Sequence, residues 1–305
     1  MAPRGAEAQG SRQRGRPRPV QRALSRDGVR GALRAVHPLP VLRARGALAR
    51  FYRGVTRAIR AGGARQVVFP EGIADSAQQP PVLPRLADRQ SGFDFHFYCG
   101  QTQLSPLQVP VGAPSPEAKA CAPVERRQLG RFTAYARRLG VPGFLSEFSC
   151  TDVDPDNAQV VDRIGRSFTS WTAWAYYTGA DDPADCPRQG LLRDDDKPGS
   201  EANAKQAKLD ALAVPYAEAI AGRPLSTSLD RAHRTYRLAY RATGVPGARL
   251  AQGARTVILV PRRMYPHGYV VHAGGARVRS RRDARRLQLT GPRGRRVSVR
   301  ITARR

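Results

Sequence analysis

Eight residues, Gly92-Phe93-Asp94-Phe95-His96-Phe97-Tyr98-Cys99, limit the fold more tightly than any other stretch of the chain. Phe93, Phe95 and Phe97 alternate with Asp94, His96 and Tyr98. A period of two is that of a β-strand, whose successive side chains point to opposite faces. The aromatic face has to be covered by a second layer. The other face carries three groups capable of chemistry, which favours a barrel lumen or a cleft over a surface open to bulk water.

A second apolar run, Val141-Pro142-Gly143-Phe144-Leu145-Ser146-Glu147-Phe148-Ser149-Cys150, reads as a buried strand with one carboxylate at its carboxyl end. A lone Glu between two Phe residues is costly to bury without a partner. Strand ends are also where α/β enzymes keep their reacting groups. A helix over residues 124–139 leads into this strand, and a second helix over 155–165, capped by Asp154, leaves it. Upstream, Leu48, Phe51, Val55 and Ile59 mark one face of a helix over 47–59, and residues 66–72 read as a short buried strand that includes Glu71. Residues 167–177 read as a further strand holding both tryptophans of the chain. Trp171 and Trp174 are three apart, so only one can look into a site and the other belongs to the core. Strands and helices in this alternation argue for a parallel sheet with right-handed crossovers. A helix over 201–220, interrupted by Pro215 and stopped at Gly222, then gives way to β-like runs at 235–240, 256–260, 268–273, 286–290 and 297–302. These predict a small β-sandwich domain over 224–305.

The net charge of +28 is unevenly placed. Residues 1–50 hold twelve Arg and two acids, residues 231–305 hold twenty Arg and one acid, and the middle holds twenty bases and twenty-one acids. The middle is thus an ordinary near-neutral globular segment. Residues 1–50 contain no Phe, Tyr, Trp or Lys and cannot bury a core. Residues 1–46 read either as a disordered basic arm able to touch phosphates or as translation of a GC-rich gene in the wrong frame. The first thirty residues have no apolar signal core, and no apolar run reaches transmembrane length. Cys99, Cys121, Cys150 and Cys186 form no CxxC, and an even number beside loops suits disulfides, hence export, better than a metal site. The His, Cys and carboxylate residues form no ligand-spaced cluster, so neither a metal nor an organic cofactor is expected.

Five motifs in order resemble glycoside hydrolase family 5, in its endoglycoceramidase-related branch. They are Phe51-Tyr52-Arg53 leading to Val67-Val68-Phe69-Pro70-Glu71; His96-Phe97-Tyr98; Phe144-Leu145-Ser146-Glu147-Phe148; Ser170-Trp171-Thr172-Ala173-Trp174-Ala175-Tyr176; and the helix and β-domain motifs at 215–222 and 260–269. The resemblance covers about residues 51–305. It implies strands five to eight, the C-terminal half, of a (β/α)8 TIM barrel over 47–223, followed by the β-sandwich. It also implies retaining hydrolysis of an O-glycosyl bond by two carboxylates about 5 Å apart. By the motif match Glu147 is the nucleophile, His96 and Tyr98 support it, and Trp174 is the sugar platform, with Trp171 the rival assignment. Asp94 and Glu71 are lesser candidates, Glu71 being a strand-end carboxylate that does not match the family's acid. That acid is the Glu of an Asn-Glu-Pro motif, which occurs nowhere in these 305 residues. The expectation is therefore a truncated, poorly active form of an exported glycosidase acting on a carbohydrate or glycolipid. Pairing Cys99 with Cys121 and Cys150 with Cys186 would close loops beside the site, although the sequence leaves the connectivity and the oligomeric state open. The competing reading is a non-catalytic basic protein that binds nucleic acid, anionic membrane or carbohydrate. Against nucleic acid, neither basic end carries a recognisable reading module.

Overall fold

The computed structural model describes residues 38–72, 83, 86–177, 188–244 and 249–304. The chain divides into two compact units, residues 1–51 and 52–305. Most of the expected basic arm, residues 1–37, lies outside the described residues. Helix α1, Pro38–Ala61, begins inside that arm and upstream of its expected start. At its C-terminal end the Arg60 guanidinium donates to both Asp88 oxygens, at 2.7 and 3.2 Å, and to the Ala64 and Gln90 carbonyls. This anchors the turn that enters the first strand.

Three parallel strands follow in the order β1 (Phe93–His96), β2 (Gly143–Glu147) and β3 (Ser170–Trp171). The strand expected over 66–72 is reduced to two parallel bridges, Val68 to Ser91 and Glu71 to Asp94, on the outer side of β1. Phe69 lies against Gly92 so closely that a β-carbon there would meet its ring at 2.2 Å, which is why that position is glycine. A short helix α2, Gly100–Gln103, precedes α3, Pro116–Leu139. Helix α3 starts earlier than its periodicity suggests. Ser115 caps it by accepting from the Ala118 N–H, Pro116 stands in the first turn where its missing N–H costs nothing, and Pro123 is tolerated inside. Gly140, in the left-handed region at φ 66°, ends it. Helix α4, Asp154–Gly165, has Val153 at its N-cap position with no side-chain cap, so Asp154 is the first helical residue rather than the cap.

Phe93, Phe95 and Phe97 are buried, as the alternation predicts, and pack with Leu129 and Phe132 of α3 and with Val160, Val161 and Ile164 of α4. Phe95 stacks on Phe132 with ring centroids 4.7 Å apart. One disulfide, Cys99–Cys121, ties the end of β1 to α3. Cys150 is also disulfide-bonded, and Cys186 lies outside the described residues.

Two expected elements are corrected. The strand over 167–177 is confined to Ser170–Trp171, and Trp174 follows it in a loop. The helix over 201–220 is only α5, Gln206–Leu212; beyond Pro215 the chain enters strand β4, Tyr216–Ala219, which pairs with the β-domain. That domain therefore begins before residue 224. It comprises β4, β5 (Arg223–Asp230), β6 (Thr235–Arg241), β7 (Thr256–Leu259), β8 (Tyr269–Gly274), β9 (Arg277–Val278), β10 (Arg286–Thr290) and β11 (Arg296–Ala303). The antiparallel sheets β4-β7-β10-β9 and β5-β6-β11-β8 share one core, in which Leu238, Tyr240, Ile258, Leu287, Leu289, Val297, Val299 and Ile301 meet. In β11 these apolar residues alternate with exposed Arg296, Ser298 and Arg300, so the Arg-rich composition is carried on an outer face. Arg231, at the β5–β6 turn, donates to both Asp162 oxygens of α4 and to the carbonyls of Asp210 and Ala211, joining this domain to the parallel sheet's helices.

Candidate active site

The register of β1 against β2 decides where the chemistry lies. Phe93, Asp94 and Phe95 pair with Gly143, Phe144 and Leu145, but after a shift His96 pairs with Glu147. Strict alternation from Leu145, which is fully buried in the core, would turn Glu147 toward the helices as well. The extra residue at the shift re-aims it, so Glu147 joins Asp94, His96 and Tyr98 on the polar face.

Both ring nitrogens of His96 face carboxylates, Nδ1 at 3.2 Å from Glu147 Oε2 and Nε2 at 3.3 Å from Glu71 Oε1. The Tyr98 hydroxyl donates to the same Glu147 Oε2 at 2.9 Å. Burial, and then the Glu147 carboxylate beside it, push the Tyr98 phenol up from its ordinary value, so it keeps its proton and remains a donor. Burial also pushes the Glu71 carboxyl up, with His96 working against it and the charges of Asp94 and Glu147 adding to it. Asp94 is raised by burial too, opposed by Ser146 and His96. Tyr52 closes the group from α1, its hydroxyl accepting from the Glu71 N–H at 3.2 Å. His96 thus stands between Glu71 and Glu147, and the site is a chain of carboxylates linked through one imidazole.

Trp171 and Trp174 separate, Trp171 packing toward the core from β3 and Trp174 lying in the loop that follows it. Trp171 packs edge-on against Phe148 with ring centroids 5.5 Å apart. Trp174 is 43% exposed; its backbone N–H donates to the Phe148 carbonyl at 2.8 Å and its indole N–H to Gln189 Oε1 at 2.7 Å. Tyr52 and Gln189 escaped the sequence reading because each acts through a partner distant in sequence. The expectation of no ligand cluster is also corrected. Glu71, Asp94 and His96 present ligand atoms within 4.8 Å of one another, a grouping that could hold a cation and that no sequence spacing displays. A cavity of about 590 Å3 elsewhere, between α4, the start of β3 and β4, includes Trp171 but none of Glu71, His96, Tyr98 or Glu147, so it is not this site.

Residues 37–179 match the profile of "Cellulase (glycosyl hydrolase family 5)", and residues 215–301 match that of the "Glycoside hydrolase family 5 C-terminal domain". The chain belongs to glycoside hydrolase family 5. Endoglycoceramidase I of Rhodococcus hoagii (strain 103S) is 28% identical over 228 residues, which are 73% of this chain and 39% of that protein. The family 5 chain thus spans about two fifths of the length of this curated relative. Among solved structures, endo-glycoceramidase II from Rhodococcus sp. in a five-membered iminocyclitol complex superposes with a TM-score of 0.63 at 21% identity, covering 85% of this chain and 55% of that one. Cryptococcus neoformans sterylglucosidase 1 gives a TM-score of 0.50 at 13% identity, covering 72% and 40%. These likenesses show a barrel-type fold with a C-terminal β-domain.

Proposed function

We infer that the chain carries the nucleophile half of a retaining β-glycosidase directed at a carbohydrate or glycolipid headgroup. The observation that carries this reading is Glu147 at the end of β2, with Tyr98 and His96 both holding Oε2. In the proposed reaction Oε1, which neither of them engages, attacks the anomeric carbon; a C–O ester bond to Glu147 forms as the bond to the leaving group breaks. Trp174 is the surface on which the sugar stacks. The three-stranded parallel sheet, together with the 66–72 segment bridged to the edge of β1, is read as the last four strands of the barrel. Glycolipid as the substrate class is supported by the relatives, named as endoglycoceramidases, one of them in a complex with ganglioside GM3. With no Asn-Glu-Pro in the sequence, the leaving group receives no positioned proton, a deficit of about 10²- to 10⁴-fold in rate. The chain alone is therefore a poor catalyst on natural glycosides. Its disulfide chemistry suits export to an oxidising compartment.

The test uses a leaving group that needs no acid. Incubation with β-lactosyl fluoride breaks the C–F bond, releases fluoride and is expected to add one lactosyl unit to the intact mass, mapped to Glu147 by peptide analysis. Glu147→Gln is expected to remain unlabelled. Labelling at Glu71, or sugar binding with no label on any residue, would refute the nucleophile assignment, and the latter would favour a protein that only binds sugar.

A further inference from the structure

Lys208 lies on α5, distant in sequence from every site residue, and is 1% exposed. Its ammonium donates to three successive backbone carbonyls, of Arg188 at 2.7 Å, Gln189 at 3.3 Å and Gly190 at 3.4 Å. Its fourth neighbour is Asp152 Oδ1 at 3.1 Å, in the loop that follows β2 and Glu147. A buried ammonium has three protons and no water, so a ring of oxygens of this kind both satisfies it and is held by it. The middle residue of the clamped turn is Gln189, whose side chain accepts from the Trp174 indole and whose carbonyl accepts from the Ala175 N–H at 3.1 Å.

We propose that Lys208 is a positioning residue for Trp174. It fixes the 188–190 turn so that Gln189 holds the indole plane, and through Asp152 it ties that turn to the loop behind Glu147. The consequence for sugar binding rests on the reading of Trp174 above; the clamp itself does not. The charged groups facing Lys208 are Asp152 from the β2–α4 connection, Asp154 at the start of α4 and Lys205 from just before its own helix, and Lys205 is also bonded to both Asp152 oxygens at 3.0 Å. Burial lowers the Lys208 ammonium to about 8, with Asp152 opposing and Lys205 adding to the effect. A neutral amine has two N–H groups for four oxygens and loses its attraction to Asp152, so the clamp loosens in mildly alkaline solution. The linkage runs the other way for global stability. A lysine depressed from 10.5 to about 8 is protonated in the unfolded chain and neutral in the folded one across that window, so this group makes the fold more stable as pH rises through it. Loosening of Trp174 without a loss of stability assignable to Lys208 is what a purely structural lysine would not produce.

The experiment follows Trp174 as the single tryptophan in a Trp171→Phe background, by acrylamide quenching from about pH 6 to about pH 10. Quenching is expected to rise about twofold with a midpoint near pH 8, as the turn opens locally. Lys208→Met should be strongly quenched at every pH with no transition. Lys208→Arg, which keeps its charge throughout, should stay protected and rescue the platform. Cellobiose affinity, read in parallel, should fall about tenfold in Lys208→Met, the loss of one good hydrogen bond. A flat quenching profile in the parent overturns the proposal with no lysine variant needed, as does a Lys208→Met profile that matches the parent. Quenching that behaves as expected, in a protein that binds no cellobiose at any pH, upholds the clamp and refutes Trp174 as a sugar platform.

Discussion

Replacing Tyr98 by Phe removes one hydroxyl from the site and leaves the ring. That hydroxyl lies 2.9 Å from Glu147 Oε2 and keeps its proton, because burial and the adjacent carboxylate both raise it. In the proposed reaction its influence is largest when the glycosyl-enzyme breaks down. As the ester bond to Glu147 opens, negative charge returns to the carboxylate and the hydrogen bond strengthens in the transition state. A hydrogen bond to a charged acceptor is worth about 1.5–3 kcal/mol, or roughly 10- to 150-fold in rate. His96 Nδ1 still faces the same oxygen at 3.2 Å, so the lower part of that range applies, about 10- to 30-fold. The assay preforms the intermediate with β-lactosyl fluoride, removes excess reagent, and adds azide, an anionic nucleophile that needs no general base. Decay of the lactosyl mass then reports breakdown alone. Tyr98→Phe should label at Glu147 like the parent and release the sugar about 10- to 30-fold more slowly. A lifetime within about twofold of the parent would show that Tyr98 does not stabilise the departing carboxylate.

Trp171→Ala should cost about 3–5 kcal/mol of stability by emptying a core position, whereas Trp174→Ala should leave the denaturation midpoint nearly unchanged and remove cellobiose binding; the reverse pattern would exchange their assignments. Glu125 is fully buried beside Asp156, with Arg163 Nε at 3.5 Å, and burial followed by Asp156 raises its carboxyl to about 9. Because the folded chain holds a proton that the unfolded chain loses above 4.5, this group's stabilisation is present at low pH and lost as pH rises toward about 9. Glu125→Gln should flatten the decline in melting temperature over that window and be more stable at its alkaline end by about 1–3 kcal/mol, and an unchanged slope would refute the assignment. Arg231→Met should cost about 2–3 kcal/mol by leaving the Asp162 carboxylate of α4 mostly buried and unpaired, and the deficit, read by urea denaturation, should shrink in acid as Asp162 takes up a proton.

The strands of the β-domain were legible from their alternation. The runs at 235–240, 256–260, 268–273, 286–290 and 297–302 each fall in or along a strand, since one-sided burial leaves a period-two signature. The segment after Pro215 was misread because Tyr216-Ala217-Glu218-Ala219 is rich in helix formers, and pairing with β7 overrides that local preference. Residues 167–177 were misread in the opposite sense. Their aromatic and β-branched content favours a strand, but beyond Trp171 the backbone groups of Trp174 and Ala175 bond to Phe148 and Gln189 instead of continuing the ladder. Helix α3 began earlier than expected because burial of Ala118 and Cys121, with Ser115 capping, outweighs the interruption at Pro123.

By itself the sequence determined the residue types and their local periodicities: a strand with an aromatic and an ionisable face, a carboxylate at a strand end, cysteines beside loops, a sandwich with arginines outside, and the motif order that marks family 5. These are short-range properties, fixed by backbone geometry and by which side chains tolerate water. Tertiary structure alone decided which carboxylates meet. The register shift that brings Glu147 beside His96, the joining of Glu71 to Glu147 through one imidazole, and the line from Lys208 through Gln189 to Trp174 all depend on strand pairing and packing between residues 15 or more positions apart in the chain. No local pattern records such contacts, because their energy comes from desolvated groups that become neighbours only once the chain has folded.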